Sequence, residues 1–255
     1  MAAPLLDMLS RVCERIGELR EDEDVERFAS VLLARRPEAF EGLPGGATGS
    51  AARAMAPRIA RKQLELVREL PGMVETIAAT LDVPTDPPAL QLMQVAALAY
   101  LVDPGDLLPD DMPAGYGFVD DSIVLRAMAV TVPPLYGMDA TAVARERLVI
   151  DFHGLCIPRA IAPELERSVR SSSTMVQMLG LLPPALVHDS IRRLLEEPLV
   201  PLQSQPPAGT GWGLSQGSWF RLPDGVLEEL PGGGVRYRLD HEMGVALLGD
   251  ALERR

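Results

Sequence analysis

Two stretches of the chain are apolar on nearly every side of a helix. Ala89 to Val102 carries Leu90, Leu92, Met93, Val95, Ala96, Ala97, Leu98, Tyr100 and Leu101, and Val119 to Val132 has the same texture. A helix with so little polar face must be wrapped, either by other protein elements or by lipid. Lipid is disfavoured by length. A membrane span needs about 18–20 apolar residues, and the segment from Ile123 to Tyr136 is interrupted by Arg126 and ended by Pro133-Pro134. An arginine at mid-bilayer would cost about 2.5–3.5 kcal/mol even on the lenient insertion scale. In a protein core it need only reach the surface or pair with an acid such as Asp121 or Asp106. No membrane span is expected, and the two stretches are predicted to form the central hairpin of a helical core.

The flanking sequence supplies the wrapping. Leu5, Leu9, Val12, Ile16 and Leu19 recur at three- and four-residue steps, the stripe of an amphipathic helix. The acidic run Glu21 to Asp24 reads as a solvated junction, with Asp24 capping a second helix that carries Val25, Phe28, Val31 and Leu32 and stops before Pro37. Gly42 to Ser50 resembles a phosphate loop only in its glycines. The lysine and the preceding strand are missing, so a flexible connection is expected. Helix resumes over Arg58 to Leu70, is interrupted at Pro71-Gly72, and continues with Val74, Ile77, Ala78 and Leu81. Asp86 followed by Pro87-Pro88 is a start signal for the first apolar helix. Shorter helices are predicted over Arg145 to Gly154, Ala162 to Arg170, Ser173 to Leu182 and His188 to Glu197. Beyond Pro198 the texture changes to loop, then to short β candidates at Trp219–Leu222, Val226–Leu230 and Val235–Leu239, with turns at Pro223-Asp224-Gly225 and Pro231 to Gly234. A last helix is expected from His241 to Leu252. No motif recurs at a fixed period, which argues against a solenoid.

Between the two apolar helices lies the one ordered motif. Tyr100-Leu101-Val102-Asp103-Pro104-Gly105-Asp106-Leu107-Leu108-Pro109-Asp110 runs into Met112-Pro113 and Gly117-Phe118-Val119-Asp120-Asp121. Pro104 keeps Asp103 from continuing the helix comfortably. Asp106 is placed to accept from a turn across Leu107-Leu108, and Pro109 enforces a second bend. Asp120 is expected to cap the following helix, with Asp121 in its first turn, where a negative charge offsets the helix dipole. This pattern resembles the DUF1232 (YkvA-like) family over about Leu92 to Val132. Two departures stand out: Gly105 replaces a larger apolar residue, and the loop from Pro113 to Asp120 is longer than usual. The resemblance implies a helical module with no established activity. Its structural residues would be Tyr100, Pro104, Asp106, Pro109, Asp110, Pro113, Gly117, Asp120 and Asp121.

The expected fold is therefore mainly α: a multi-helix core around a central helical hairpin, with a small C-terminal β-hairpin or meander and a final helix. Residues 1–83 would form an N-terminal helical region, 84–200 the DUF1232-like core, and 201–255 a small α+β segment. A chain of 255 residues buries about 70–75% of its unfolded surface and needs no staple.

Function is less constrained. The net charge of −12 and an aromatic content of 4% argue against nucleic acid and anionic membranes. The absence of a signal-peptide core near Met1 leads us to expect a cytoplasmic protein with Cys13 and Cys156 reduced. His153 and Cys156 share a helix face, but their apolar neighbours point to a packed helix end. Ser171 to Thr174 lacks a nucleophile elbow, and His188-Asp189 reads as a cap. Too few cysteines and histidines exist for structural zinc, and no cofactor is expected. Trp212, Trp219 and Tyr237 concentrate aromatic area near the C-terminus, where they would cover the small sheet or anchor a protein partner. A non-enzymatic interaction or scaffold protein follows as the leading expectation. The alternative is a divalent-metal enzyme or metal-regulated binder using Asp106, Asp110, Asp120 and Asp121, since clustered carboxylates suit magnesium or calcium.

Overall fold

Leu5, Leu9, Val12 and Ile16 are all buried, on the inner face of the first helix, α1 (Pro4–Gly17). A computed structural model describes residues 4–81, 88–103, 106–131, 138–179, 185, 222, 224–229, 235–239 and 245–246. The chain continues through α2 (Glu21–Arg35), α3 (Ser50–Val67), α4 (Leu70–Leu81), α5 (Pro88–Leu101), α6 (Phe118–Thr131), α7 (Ala140–Gly154) and α8 (Ala162–Leu179). A three-stranded antiparallel sheet follows: β1 (Gly225–Glu229), β2 (Val235–Leu239) and β3 (Val245–Ala246), paired in chain order. The protein is mainly helical with a small C-terminal meander, as its patterning predicts.

The central element is α6. It packs against α3, α5, α7 and α8, and its residues from Phe118 to Ala129 are buried without exception. A helix so enclosed has no polar face to present, which is why its sequence is apolar all round. The hydrophobic core is continuous from Leu5 in α1 to Leu227 in β1. Among the described residues no helix is long and apolar enough to cross a membrane.

Several local expectations are corrected. The run Glu21 to Asp24 is the first turn of α2, where its charges face the positive helix end. Asp24 reaches back to accept from the Arg20 N–H at 2.8 Å. The glycine-rich stretch after Gly42 is tightly placed, because a Cβ on Gly42 would lie 2.4 Å from the carbonyl oxygen of Leu227 in β1. The two helices expected over residues 162–182 are the single helix α8. Val245–Ala246, expected in a closing helix, is instead strand, with Tyr237 opposite Ala246. The other residues of that predicted helix, the helix over 188–197 and the strand over 219–221 lie outside the described residues.

The start of the meander is fastened to the helices by charge. Asp224 accepts from the buried Arg36 at 2.8 Å and from Arg159 at 2.7 Å, and the N–H of Leu222 donates to Glu166 at 2.9 Å. The two arginines outweigh the effect of partial burial and hold the Asp224 carboxyl below its ordinary range.

Candidate metal centre

Between Leu101 and Phe118 the chain reverses direction. The N–H of Asp103 donates to Tyr100 at 3.0 Å, that of Met112 to Pro109 at 2.9 Å, and Pro113 opens a single 3-10 turn ending at Gly115. Ala114 and Gly115 are both left-handed, at φ 59° and 74°. Gly117 is needed for room: a Cβ there would lie 2.4 Å from the Pro109 carbonyl oxygen and 2.9 Å from Asp110 Cα. The loop backbone thus crosses the start of α6 at a distance that admits no side chain. Pro104 lies outside the described residues.

This close crossing gathers three carboxyls. Asp106, Asp120 and Asp121 each bring one oxygen to a common place, all within 4.8 Å of one another. Asp120 and Asp121 are 0% exposed, and Asp106 is half-buried. Asp120 Oδ2 accepts from the Tyr100 hydroxyl at 2.9 Å and from the Leu108 N–H at 3.1 Å. Its Oδ1 has no hydrogen-bond partner, and neither oxygen of Asp121 or of Asp106 has one. Burial, then the mutual repulsion of the group, pushes the Asp106 and Asp121 carboxyls well above the usual range. Burial also raises Asp120, with the Tyr100 and Leu108 donors pulling the other way.

Capping does not account for these acids. Because α6 begins at Phe118, Asp121 lies in its first turn as expected, and Asp120 lies there too and not before it as a cap. The Leu108 N–H donates to Asp120 at 3.1 Å and only eases the Asp106 carboxyl from longer range. Asp121 is bonded to nothing that would make it a cap. Buried oxygens without donors cost about 1–3 kcal/mol each, more when charged, so the arrangement calls for a proton or a cation between the carboxyls.

Asp110 stands beside this trio with a different duty. Its Oδ2 accepts from Arg15 Nη1 at 3.2 Å and its carbonyl oxygen accepts from Arg15 Nη2 at 2.6 Å, while Oδ1 is buried and unpartnered. Burial raises its carboxyl to about 6 against the pull of Arg15.

Arg126 does not pair with Asp121 or Asp106, as its position in the sequence suggests. It is 1% exposed and donates to Glu69 at 2.8 Å, to the Leu66 carbonyl at 3.0 Å, to Ser122 Oγ at 3.1 Å and to Glu146. Arg126, Glu69 and Glu146, with Arg145, line an open cavity of about 310 Å³ between α4, α6 and α7. Its charges compensate one another.

A buried chain of hydrogen bonds escapes sequence reading altogether. Ser122 Oγ lies 2.8 Å from His153 Nε2, His153 Nδ1 lies 2.5 Å from Gln63 Oε1, and Gln63 Nε2 donates to the Phe152 carbonyl at 2.9 Å. With Arg126 donating to Ser122, every donor finds an acceptor if His153 is neutral and carries its proton on Nδ1. The trio has the composition of a serine–histidine site, but Ser122 and His153 are both 0% exposed. No substrate reaches them. The partners lie on three separate helices, so no local spacing could have revealed them. The Cys156 thiol is fully buried and raised by that burial.

Of the C-terminal aromatics, Trp212 and Trp219 lie outside the described residues. Tyr237 is in β2, opposite Leu227 of β1.

Residues 92–126 match the model of a family described as a protein of unknown function (DUF1232). The matched segment spans most of α5, the crossing loop and the first part of α6, and so contains the whole carboxyl trio. No curated protein and no solved structure matches the chain.

Proposed function

We propose that this chain is a divalent-cation-binding protein whose DUF1232-like helical hairpin is closed by a cation held between Asp106, Asp120 and Asp121, and that it acts as a regulated binding module. The observation that carries this reading is Asp121: fully buried, with both oxygens unpartnered, and faced by two further carboxyls within 4.8 Å. Like charges so close in a dry site cannot all ionise unaided. An oxygen-only donor set suits the hard cations magnesium, manganese and calcium in preference to zinc. Asp106 is half-buried as a residue, but both of its carboxyl oxygens are buried and unpartnered like those of Asp121.

Catalysis is not part of this proposal. The one serine–histidine pair among the described residues is sealed, and the ion pairs in the open cavity satisfy one another. A cation-independent scaffold is the second reading; the acidic charge of −12 supports it by suiting a basic protein surface.

Titration calorimetry and thermal melts of chelator-treated protein test the first reading with magnesium, manganese and calcium in turn. Saturable binding near one ion per chain, with a rise in Tm that Asp121→Asn abolishes, is expected. No heat and no Tm shift at millimolar cation would remove the proposal and leave the scaffold reading.

A further inference from the structure

The loop that supplies Asp106 also grips the N-terminal helix. On one side, Leu108 donates its N–H to Asp120 at 3.1 Å and Asp106 joins the carboxyl trio. Only a few residues later, Asp110 holds Arg15 of α1 by two hydrogen bonds, one to its side chain at 3.2 Å and one to its backbone carbonyl at 2.6 Å. The Arg15 guanidinium lies 5.3 Å from the centroid of the Phe118 ring, the first residue of α6. Gly115 is so close to Leu19, two residues past α1, that a Cβ on it would lie 2.6 Å from Leu19 Cδ1. Next to it, the Tyr116 ring contacts Phe28 of α2 with centroids 5.1 Å apart. A single short segment is thus fixed at one end to the acids of α6 and at the other to α1 and α2.

We propose that cation occupancy at Asp106, Asp120 and Asp121 regulates the docking of α1, with the Arg15–Asp110 contact as the link. This rests on the cation-binding reading above. An ion between the carboxyls ties Asp106 to α6 and holds the loop against the hairpin, which keeps both Arg15 acceptors in place. Without it no hydrogen bond ties the Asp106 carboxyl to α6, the loop loosens, and the Asp110 carbonyl and carboxylate leave Arg15 together. The inner face of α1, with Leu5, Leu9, Val12 and Ile16, then becomes available to a partner. Linkage makes the effect reciprocal: whatever factor the cation adds to α1 docking, docking adds to cation affinity.

Cys13 is the built-in reporter. It lies on α1, half-buried against the core, whereas Cys156 is fully buried just after α7. In the intact chain, thiol labelling of Cys13 should slow about fivefold or more when magnesium, manganese or calcium replaces chelator. Arg15→Gln should label at the fast rate in both conditions and bind the cation more weakly by the same factor. Cys156 should stay protected throughout, which separates release of α1 from general unfolding. If calorimetry shows the cation bound while Cys13 labels at one rate with and without it, and Arg15→Gln keeps full affinity, the coupling is overturned and the binding reading stands. If no cation binds, the binding reading itself has failed. If Cys156 becomes reactive together with Cys13 on chelation, the site stabilises the whole fold, and selective control of α1 is refuted.

Discussion

Tyr100 and Asp120 join the last turn of α5 to the first turn of α6 through a hydroxyl–carboxyl hydrogen bond of 2.9 Å. The same oxygen also receives the Leu108 N–H at 3.1 Å, so one atom of Asp120 organises both helices and the loop between them. Burial, and then the neighbouring carboxyls, push the Tyr100 phenol well above its ordinary range. Removing the hydroxyl leaves a buried oxygen short of a partner. Tyr100→Phe should therefore cost about 1–3 kcal/mol in urea unfolding. A loss below about 0.5 kcal/mol, within the range of neutral surface changes, would mean that the bond does not organise the hairpin.

Gly117 should be intolerant of any side chain. The carbonyl of Pro109 and Cα of Asp110 would lie 2.4 and 2.9 Å from its Cβ, and both belong to backbone, which cannot rotate away. Gly117→Ala should destabilise by about 1–3 kcal/mol, the range for overpacking. It should also weaken cation binding, because the displaced segment carries Asp106. Gly17→Ala is the matched control. Nothing lies within 4 Å of a Cβ there, and the change should be neutral or stabilising by up to about 1 kcal/mol. Equal behaviour of the two variants in thermal melts would contradict the close crossing.

Arg126 illustrates a charge that must be kept because its partners are present. It bonds Glu146, Glu69, Ser122 and a backbone carbonyl from inside the core. Arg126→Met removes the buried one of the two arginines that pair with the largely buried Glu146. A cost of about 3 kcal/mol is expected, at the lower end for broken buried pairs because Glu69 remains 39% exposed and Arg145 still reaches both acids. Adding Glu146→Leu should restore part of the loss. If the double variant is less stable than Arg126→Met alone, Glu146 has no unmet need for that charge.

The helices were legible because their signals are local. The three- and four-residue stripe of Leu5, Leu9, Val12 and Ile16 and the all-round apolar texture of residues 119–132 report burial directly. The proline and aspartate order of the hairpin loop likewise placed the reversal and the acids. What the acids do was not legible. Whether Asp121 caps a helix depends on α6 beginning at Phe118, and whether its oxygens find donors depends on how closely Gly117 lets the loop approach. The partners of Arg126 were missed for a related reason. Asp121 is five residues away in sequence, Glu69 fifty-seven and Glu146 twenty, and only the packing of α3 and α7 on α6 decides among them. Charge pairing across helices has no period to read.

The buried relay through His153 predicts a pH dependence of known sign. Burial first, and then the nearby Arg126, hold the His153 imidazole well below its ordinary value. Its Nε2 accepts from Ser122 and its Nδ1 donates to Gln63, so added charge would disrupt satisfied bonds and face an arginine. Above about pH 6.5 the ring is neutral in folded and unfolded chains alike and contributes no slope. Below it the unfolded chain takes up a proton that the folded chain refuses, so stability falls by up to about 1.4 kcal/mol per pH unit until the depressed folded value is reached. The carboxyls of Glu69 and Asp224, held low in the fold, add losses of the same sign only nearer pH 4. The carboxyls raised by burial act in the opposite direction, so the test is a comparison of two proteins at each pH. Wild-type stability minus that of His153→Gln, from urea unfolding between pH 7 and 5, should fall as the solution is acidified. A difference that stays constant across this window would show that folded His153 accepts a proton as readily as the unfolded chain, and the neutral relay would have to be abandoned.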